Sequence, residues 1–500
     1  MRSLQLFRRA LLTGAFVVLP SLAAAAEIHV NGAAAAGGDG TAARPFATIP
    51  PAVAAAKPGD QVVIHAGAYP VTTPITVSAK GTAAAPIVIR GEGAVTLRDP
   101  SRRIQALQGV LTLSGATYVR VRGLRVEGSG GIGIFVINSQ HIVVENNVSV
   151  DSWGSGIYAL YSTDVAMLRN DVSTCSEGES GAQECVVVAD SNGFEVAYNE
   201  VHHSHRGKSG GEGIDIKAGA KNGTVHHNQL HDLVRVALYV DAWDKLTENI
   251  EIYANRVFHN HAGIGIASEA GGTVRNVRVH DNLIYENGVK YSPVSPDWPY
   301  PGGLGITVPD YSGNLPLENL AIYNNTIVRN ASSATWGIGI QIAANNVPGL
   351  VIRNNILAEH PSAGIDVPST APVTIVSNLT FPYTHQSWTH ENPGQSYIDR
   401  DPLFVNSALF DFHLRAGSPA IDAGSGSPVA ALDFDNRARV FGAKVDLGAF
   451  EYGSPASGCN VSHSNTAWQP WFALSLLMLL RRVRAPGAGT ATPVYEKARS

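Results

Sequence analysis

From residue 133 onward the chain repeats a short apolar block that opens on a small residue: Gly133-Ile134-Phe135-Val136, Gly156-Ile157-Tyr158-Ala159, Cys185-Val186-Val187-Val188, Gly213-Ile214-Asp215-Ile216, Ala237-Leu238-Tyr239-Val240 and Gly263-Ile264-Gly265-Ile266. Gly305-Ile306-Thr307-Val308, Gly339-Ile340-Gln341-Ile342 and Gly364-Ile365-Asp366-Val367 continue it. A second signal alternates with the first: an Asn among apolar positions at Asn146, Asn170, Asn199, Asn228, Asn255, Asn282, Asn325 and Asn354, in steps of 24, 29, 29, 27, 27, 43 and 29 residues. Apolar and polar positions alternate over short runs with Gly and Asn between them, and no long helical period competes, so each run is read as a strand with one buried face. A repeat this short cannot bury that face alone; successive repeats must stack. Stacking sets equivalent strands about 4.8 Å apart and lines the Asn side chains into an internal amide ladder at the bends. The fold class predicted is all-β, a parallel β-helix. A leucine-rich horseshoe and a propeller fit worse, lacking here the Leu-x-x-Leu-x-Leu pattern and the period of about 40 residues.

Composition narrows the classes of function. Of 500 residues, 44% are hydrophobic and 15% charged, with a net charge of -5. No basic stripe is evident that could neutralise many phosphates, so nucleic acid is excluded as a dedicated partner. At the N-terminus Arg2, Arg8 and Arg9 precede an apolar stretch from Ala10 to Leu22 and the run Ala23 to Ala26. This is a secretory signal peptide layout, and its core is shorter than the ~20 residues of a membrane span. The protein is therefore expected to be exported, to the medium or the cell surface. Cys175 and Cys185, ten positions apart, either pair in that compartment or stay as two buried thiols.

Ile28-His29-Val30, Pro45-Phe46-Ala47-Thr48-Ile49, Ala52 to Asp60, Gly67-Ala68-Tyr69 and Gly91-Glu92-Gly93 resemble the opening coils of right-handed β-helix polysaccharide lyases of family nine, which are pectate-lyase-like. The resemblance implies a right-handed, single-stranded pectin-lyase-like solenoid. Ser418-Pro419-Ala420-Ile421-Asp422-Ala423-Gly424, Asp433-Phe434-Asp435 and Asp446 to Tyr452 resemble a choice-of-anchor Q closing segment, which implies a C-terminal cap. Gly458-Cys459, the apolar run Trp471 to Leu480 and Arg481, Arg482 and Arg484 resemble a MYXO-CTERM sorting tail, although 16 further residues follow. The expected organisation is a signal peptide over 1–26, N-terminal coils over 27–100, the β-helix over 101–398, a cap over 399–455 and an anchoring or cleaved tail over 456–500.

Aligning the repeats by their inward residues leaves the outward pairs Asp215/Lys217 and Tyr239/Asp241 on consecutive coils, with Glu212 before one strand and Asp244 and Glu269 after others. In a chain sparing of charge these acids stand out, and His202, His203, His205, Arg206, His231, Arg235 and Trp243 flank them. Acids, bases and an indole together suit a sugar site; a solvated edge neutralised by Lys217 is the plain alternative. Resemblance to the lyases implies β-elimination on a uronate-containing polysaccharide, because Glu212-Gly213-Ile214-Asp215-Ile216-Lys217 is similar to their Asp-Gly-apolar-x-x-Lys motif. That makes Lys217 the candidate base, with Ca²⁺ held by Asp215, Asp241 and Asp244. Where those lyases carry a double Asp, this chain has Val234-Arg235-Val236, and Arg235 is left to hold a substrate carboxylate.

Two other readings stay open. Asp215 with Asp241, or Asp241 with Glu269, could serve a glycoside hydrolase, since neighbouring rungs approach the ~5 Å of a retaining pair. A non-catalytic adhesin or sugar-binding surface protein, acting like the enzymes as a monomer, is the third. Glu212, Trp243 and Glu269 are candidate substrate contacts, joined by Tyr291, Trp298 and Tyr300 of a Pro-rich segment whose rings suit a sugar's apolar face.

Overall fold

Three short strands and three bends make one coil, and the repetition of that coil makes the molecule. The computed structural model of the protein describes residues 25–104, 107–178, 184–204, 210–289, 302–311, 315–368, 370–383, 390–427 and 429–455. The expected signal peptide core, Tyr291, Trp298, Tyr300, His205, Arg206 and the tail with Cys459 lie outside the described residues. In a representative coil Ile157–Leu160, Thr163–Leu168 and Asp171–Ser173 each pair in parallel with their counterparts on the coils before and after. The described strands form an 11-stranded sheet, a 24-stranded sheet and a two-stranded antiparallel pair of Phe404–Asn406 with Asp411–Leu414. The larger sheet consists of two ladders that join near its start, where Ile87–Arg98 pairs with both Thr117–Arg122 and Arg125–Glu127. The fold is an all-β, right-handed parallel solenoid of about 11 turns.

The inward assignment read from the sequence for Val186/Val188, Ile214/Ile216, Leu238/Val240 and Ile264/Ile266 holds, and the two coils before them follow the same pattern. Ile134, Val136, Ile157, Ala159, Val186, Val188, Ile214, Ile216, Leu238, Val240, Ile264 and Ile266 are buried in one continuous core. At the start, the helix Ile49–Ala55 packs Ile49, Ala52 and Val53 into that core.

The Asn ladder exists, with a correction at both ends. Its members are Asn147, Asn170, Asn199, Asn228, Asn255, Asn282, Asn325, Asn355 and Asn378. The Asn147 side-chain oxygen accepts the Leu124 N–H and each later one accepts the backbone N–H of the preceding Asn, at 2.9 to 3.1 Å, and each amide also donates to a backbone carbonyl one coil back. Asn146 and Asn354 were the expected members, but they occupy the adjoining bend at φ 53 and 54. In each Asn-Asn pair the first residue supplies the left-handed turn, a conformation Asn tolerates, and the second points inward. A second ladder of Asn260, Asn287 and Asn330 stacks at another corner.

The C-terminal segment does more than cap. Gln395 and Ile398 continue the stacking on the last coil through parallel bridges to Val376 and Leu379. Residues beyond them run back along the flank, where Phe404, Phe412, Leu414, Leu447 and Phe450 cover Phe258, Leu283, Tyr285, Val328 and Ile356. Buried Arg439 meets Asp281 at 2.9 Å, and Asn436 reaches His227. The acids of the closing motif hold turns: Asp433 accepts from Arg437 and Glu451, and Glu451 from Phe441 and Asp446.

Replacing Asn228 by Ala leaves the Asn199 N–H and the Val196 carbonyl buried without their partners. Urea denaturation is expected to show a loss of about 3 kcal/mol. Asn222→Gly, in the exposed row Asn192, Asn222 and Asn249 and at a left-handed φ of 57 that Gly accepts, is expected to cost less than about 1 kcal/mol.

Candidate active site

Because successive side chains leave a strand on opposite faces, burying Ile214 and Ile216 turns Asp215 and Lys217 outward, and burying Leu238 and Val240 does the same to Tyr239 and Asp241. Register sets Tyr239 beside Asp215 and Val240 beside Ile216, which brings Asp241 next to Lys217 rather than next to Asp215. The two aspartates are thus diagonal neighbours, about 8 Å apart at the backbone instead of the expected ~5 Å.

Lys217 is the hub. Its Nζ lies 2.7 Å from Glu184 Oε1 and 3.1 Å from Asp215 Oδ2. Buried Arg235 reaches Glu212 at 3.3 Å, and the Tyr239 hydroxyl donates to the Glu269 carboxylate. The backbone N–H of Trp243 serves Asp241, while the indole is 54% exposed at the rim. Glu184, Glu212, Asp215, Arg235 and Asp241 are all buried.

Crowding carboxyls in a dry place governs their protonation. Burial raises Asp215 well above the usual carboxylate range; Lys217 opposes the rise, and Asp241, Glu184 and Glu212 reinforce it. Burial pushes Asp241 up to about 7, again against Lys217, with Glu269 and Glu184 adding to the shift. Glu212 and Glu269 are raised by burial too, partly offset by Arg235 and by the Tyr239 hydrogen bond respectively. For Lys217 burial works downward, but Glu184, Asp215 and Asp241 outweigh it and hold the amine well above its ordinary value.

Several expectations change accordingly. Lys217 keeps its proton at neutral pH and is a cation here, not a ready base. Arg235, expected to hold a substrate carboxylate, is engaged by Glu212. The Ca²⁺ set does not fit: Asp244 is exposed, and among the described residues Asp215, Asp241 and Asp244 do not bring ligand atoms within 4.8 Å of one another. Lys217 already places a positive charge between Glu184 and Asp215. One oxygen on each of Glu184, Glu212, Asp215 and Asp241 is buried without a hydrogen-bond partner, so unspent acceptors concentrate at this place. His202, His203 and His231, expected around the sugar site, belong instead to strands and bends of the 24-stranded sheet.

Glu184 went unrecognised in the sequence, although Glu184-Cys185-Val186 has the same form as Glu212-Gly213-Ile214 one coil later, and register places the two strands side by side. Cys185 next to it forms a disulfide with Cys175, deciding between the two readings of those cysteines.

A family model described as a right-handed beta helix region matches residues 108–284 and 179–380, more than half of the chain. The protein belongs to the right-handed β-helix family. A narrower model, the Pel9A-like right-handed beta helix region, matches residues 28–184. Among solved structures, pectate lyase Pel9A is 17% identical, with 86% of this chain and 97% of that one covered and a TM-score of 0.46. XylC in complex with xylose is 12% identical, with 86% and 99% covered and a TM-score of 0.54. A family GH136 lacto-N-biosidase from Eubacterium ramulus is 13% identical, with 75% and 67% covered and a TM-score of 0.41. XylC thus shares this fold with the protein. No curated protein matches it.

Lys217→Met removes the cation from among buried acids and is expected to cost about 3–5 kcal/mol at pH 8. Folded-state carboxyl values raised above their unfolded values remove stability as pH rises, so the deficit should shrink at pH 5, where the acids take up protons. Denaturation curves of both proteins at the two pH values check this.

Proposed function

We propose that the protein is an exported polysaccharide-cleaving enzyme that works by glycoside hydrolysis on the outer face of the 11-stranded sheet. The observation that carries this is Asp241: a buried carboxyl pushed up to about 7, beside a coil whose Glu269 adds to the shift. A proton donor near its operating pH and a second carboxylate within electrostatic reach are the parts that glycosidic cleavage requires. Asp241 is the general acid that protonates the departing oxygen. Glu269, held by the Tyr239 hydroxyl, is the carboxylate that attacks the sugar or activates water. Lys217 keeps the surrounding acids from all protonating and supports the charge that Asp241 gains when its proton leaves. The exposed Trp243 ring offers a stacking surface at the rim.

Charge favours a neutral or weakly charged glycan. Glu184, Glu212, Asp215, Asp241 and Glu269 outnumber Lys217 and Arg235, and both cations are engaged. A uronate carboxylate entering here competes with Glu184, Asp215 and Glu212 for the two cations, and β-elimination from Lys217 needs a neutral amine that its neighbours oppose. The Cys175–Cys185 disulfide suits the export expected from the N-terminal segment.

Incubation with neutral and acidic polysaccharides, with and without chelator, tests the reading. New reducing ends without ultraviolet-absorbing unsaturated sugars are expected, unaffected by chelator. Asp241→Asn and Glu269→Gln should each lower kcat by about 10³-fold while circular dichroism shows the solenoid still folded. For the native enzyme kcat/KM should fall above pH 7 as Asp241 loses its proton. Unsaturated products, above all chelator-sensitive ones, would establish a Ca²⁺-dependent lyase instead, and retention without products a binding protein.

A further inference from the structure

Where Glu200–His202 and Gln229–His231 end, each coil bends through a left-handed residue, His203 at φ 54 and Asp232 at φ 55. The two strands pair with His202 opposite His231, so the same bend on consecutive coils sets His203 against Asp232. The column of bends continues through His259, Glu286 and Arg329, also left-handed, and there neighbours close into direct pairs: His259 with Glu286 at 3.1 Å, Arg329 with Glu286 at 3.1 Å. His203 and Asp232 do not close. Nε2 of His203 stays 3.9 Å from Asp232 Oδ2, while His231 Nδ1 lies 2.8 Å from that same oxygen. One ligand atom from each of His203, His231 and Asp232 falls within 4.8 Å of the others.

The remaining ring nitrogens of both histidines have partners. His231 Nε2 lies 3.2 Å from Glu200 Oε1. His203 Nδ1 lies 2.6 Å from His202 Nδ1, whose Nε2 in turn is 3.1 Å from Asp171 Oδ1. Fixing the far nitrogen with a carboxylate or a relay is how metal-binding imidazoles are oriented. Packing adds to it: His231 lies flat between His202 and Phe258, with ring centroids 5.1 and 5.0 Å away, and His203 meets it edge-on at 83°. An ion pair needs two members of such a column; this one gathers two imidazoles and a carboxylate, with supports behind them.

We propose that His203, His231 and Asp232 bind a divalent transition-metal ion that bridges two successive coils at this bend. Two imidazoles and one carboxylate favour Zn²⁺, Ni²⁺ or Cu²⁺ over Ca²⁺ and Mg²⁺, which prefer all-oxygen sets. Three protein ligands leave a coordination position for water at a bend where His203 is exposed. The site is separate from the carboxylates around Lys217, and neither proposal depends on the other.

The test uses the full chain without a histidine tag, stripped by chelator and titrated with Zn²⁺ by calorimetry, with Co²⁺ as a spectroscopic probe. A single Zn²⁺ site, a higher melting temperature with Zn²⁺ but not with Ca²⁺, and a Co²⁺ visible band are expected. His203→Ala and Asp232→Asn should each abolish the Co²⁺ band, and Glu200→Gln, one step removed, should weaken Zn²⁺ about tenfold or more. Circular dichroism of each variant checks that the solenoid remains folded. Absence of Zn²⁺ binding, or binding equally tight in His203→Ala and Asp232→Asn, overturns the proposal, the latter by placing the ion on other histidines.

Discussion

The bends of a parallel solenoid are where its backbone is hardest to satisfy, because each turn points an N–H and a carbonyl toward an apolar core. The ladder from Asn147 to Asn378 answers that demand. Each amide accepts the N–H of the coil before it and returns a hydrogen bond to a carbonyl, so neighbouring coils are locked at one height and one rotation. Apolar burial drives the stacking and opposes a slip of one residue, and hydrogen bonds between identical side chains on consecutive coils oppose a slip of two as well.

Everything that looks functional follows from that fixed register. A slip of one residue would turn Asp215, Lys217, Tyr239 and Asp241 into the core and expose Ile214, Ile216, Leu238 and Val240. With the register held, acids from separate coils are forced together and burial raises their proton affinity, while a single ammonium stops the group from neutralising altogether. The His203–His231–Asp232 group arises in the same way, from one left-handed bend repeated on two coils. The flank segment with Phe404, Phe412 and Phe450 covers the aromatic stack through Phe258 and Tyr285, so the outer surface of the coils is used for packing in one place and for chemistry in another.

Much of this was legible in the chain. Alternation gave the strands, the Asn spacing gave the coil, and the inward set was right to the residue across four consecutive coils, from Val186 to Ile266. Asn146 and Asn354 were misplaced because each stands in an Asn-Asn pair, and only backbone conformation tells which member turns and which points inward. Glu184 was hidden by the reverse problem: it precedes a strand of plain apolar residues and gains its meaning from Lys217 and Glu212 on the next coil. The base role read for Lys217 is opposed by a carboxylate that spacing did not reveal, Glu184 on the preceding coil, which adds to Asp215 and Asp241 in holding the amine protonated. The return path of the C-terminal segment along the flank left no periodic trace at all.

The central claim is that stacking in register buries Asp241 in an acid cluster around Lys217 and so leaves it half protonated near neutral pH. Carboxyl-selective ¹³C NMR of the aspartates across a pH titration measures this directly, with Asp241→Asn assigning the resonance. The account predicts an aspartate resonance that titrates near pH 7 in the native protein and is absent from the variant. An Asp241 carboxyl titrating near 4, like an exposed aspartate, would contradict it.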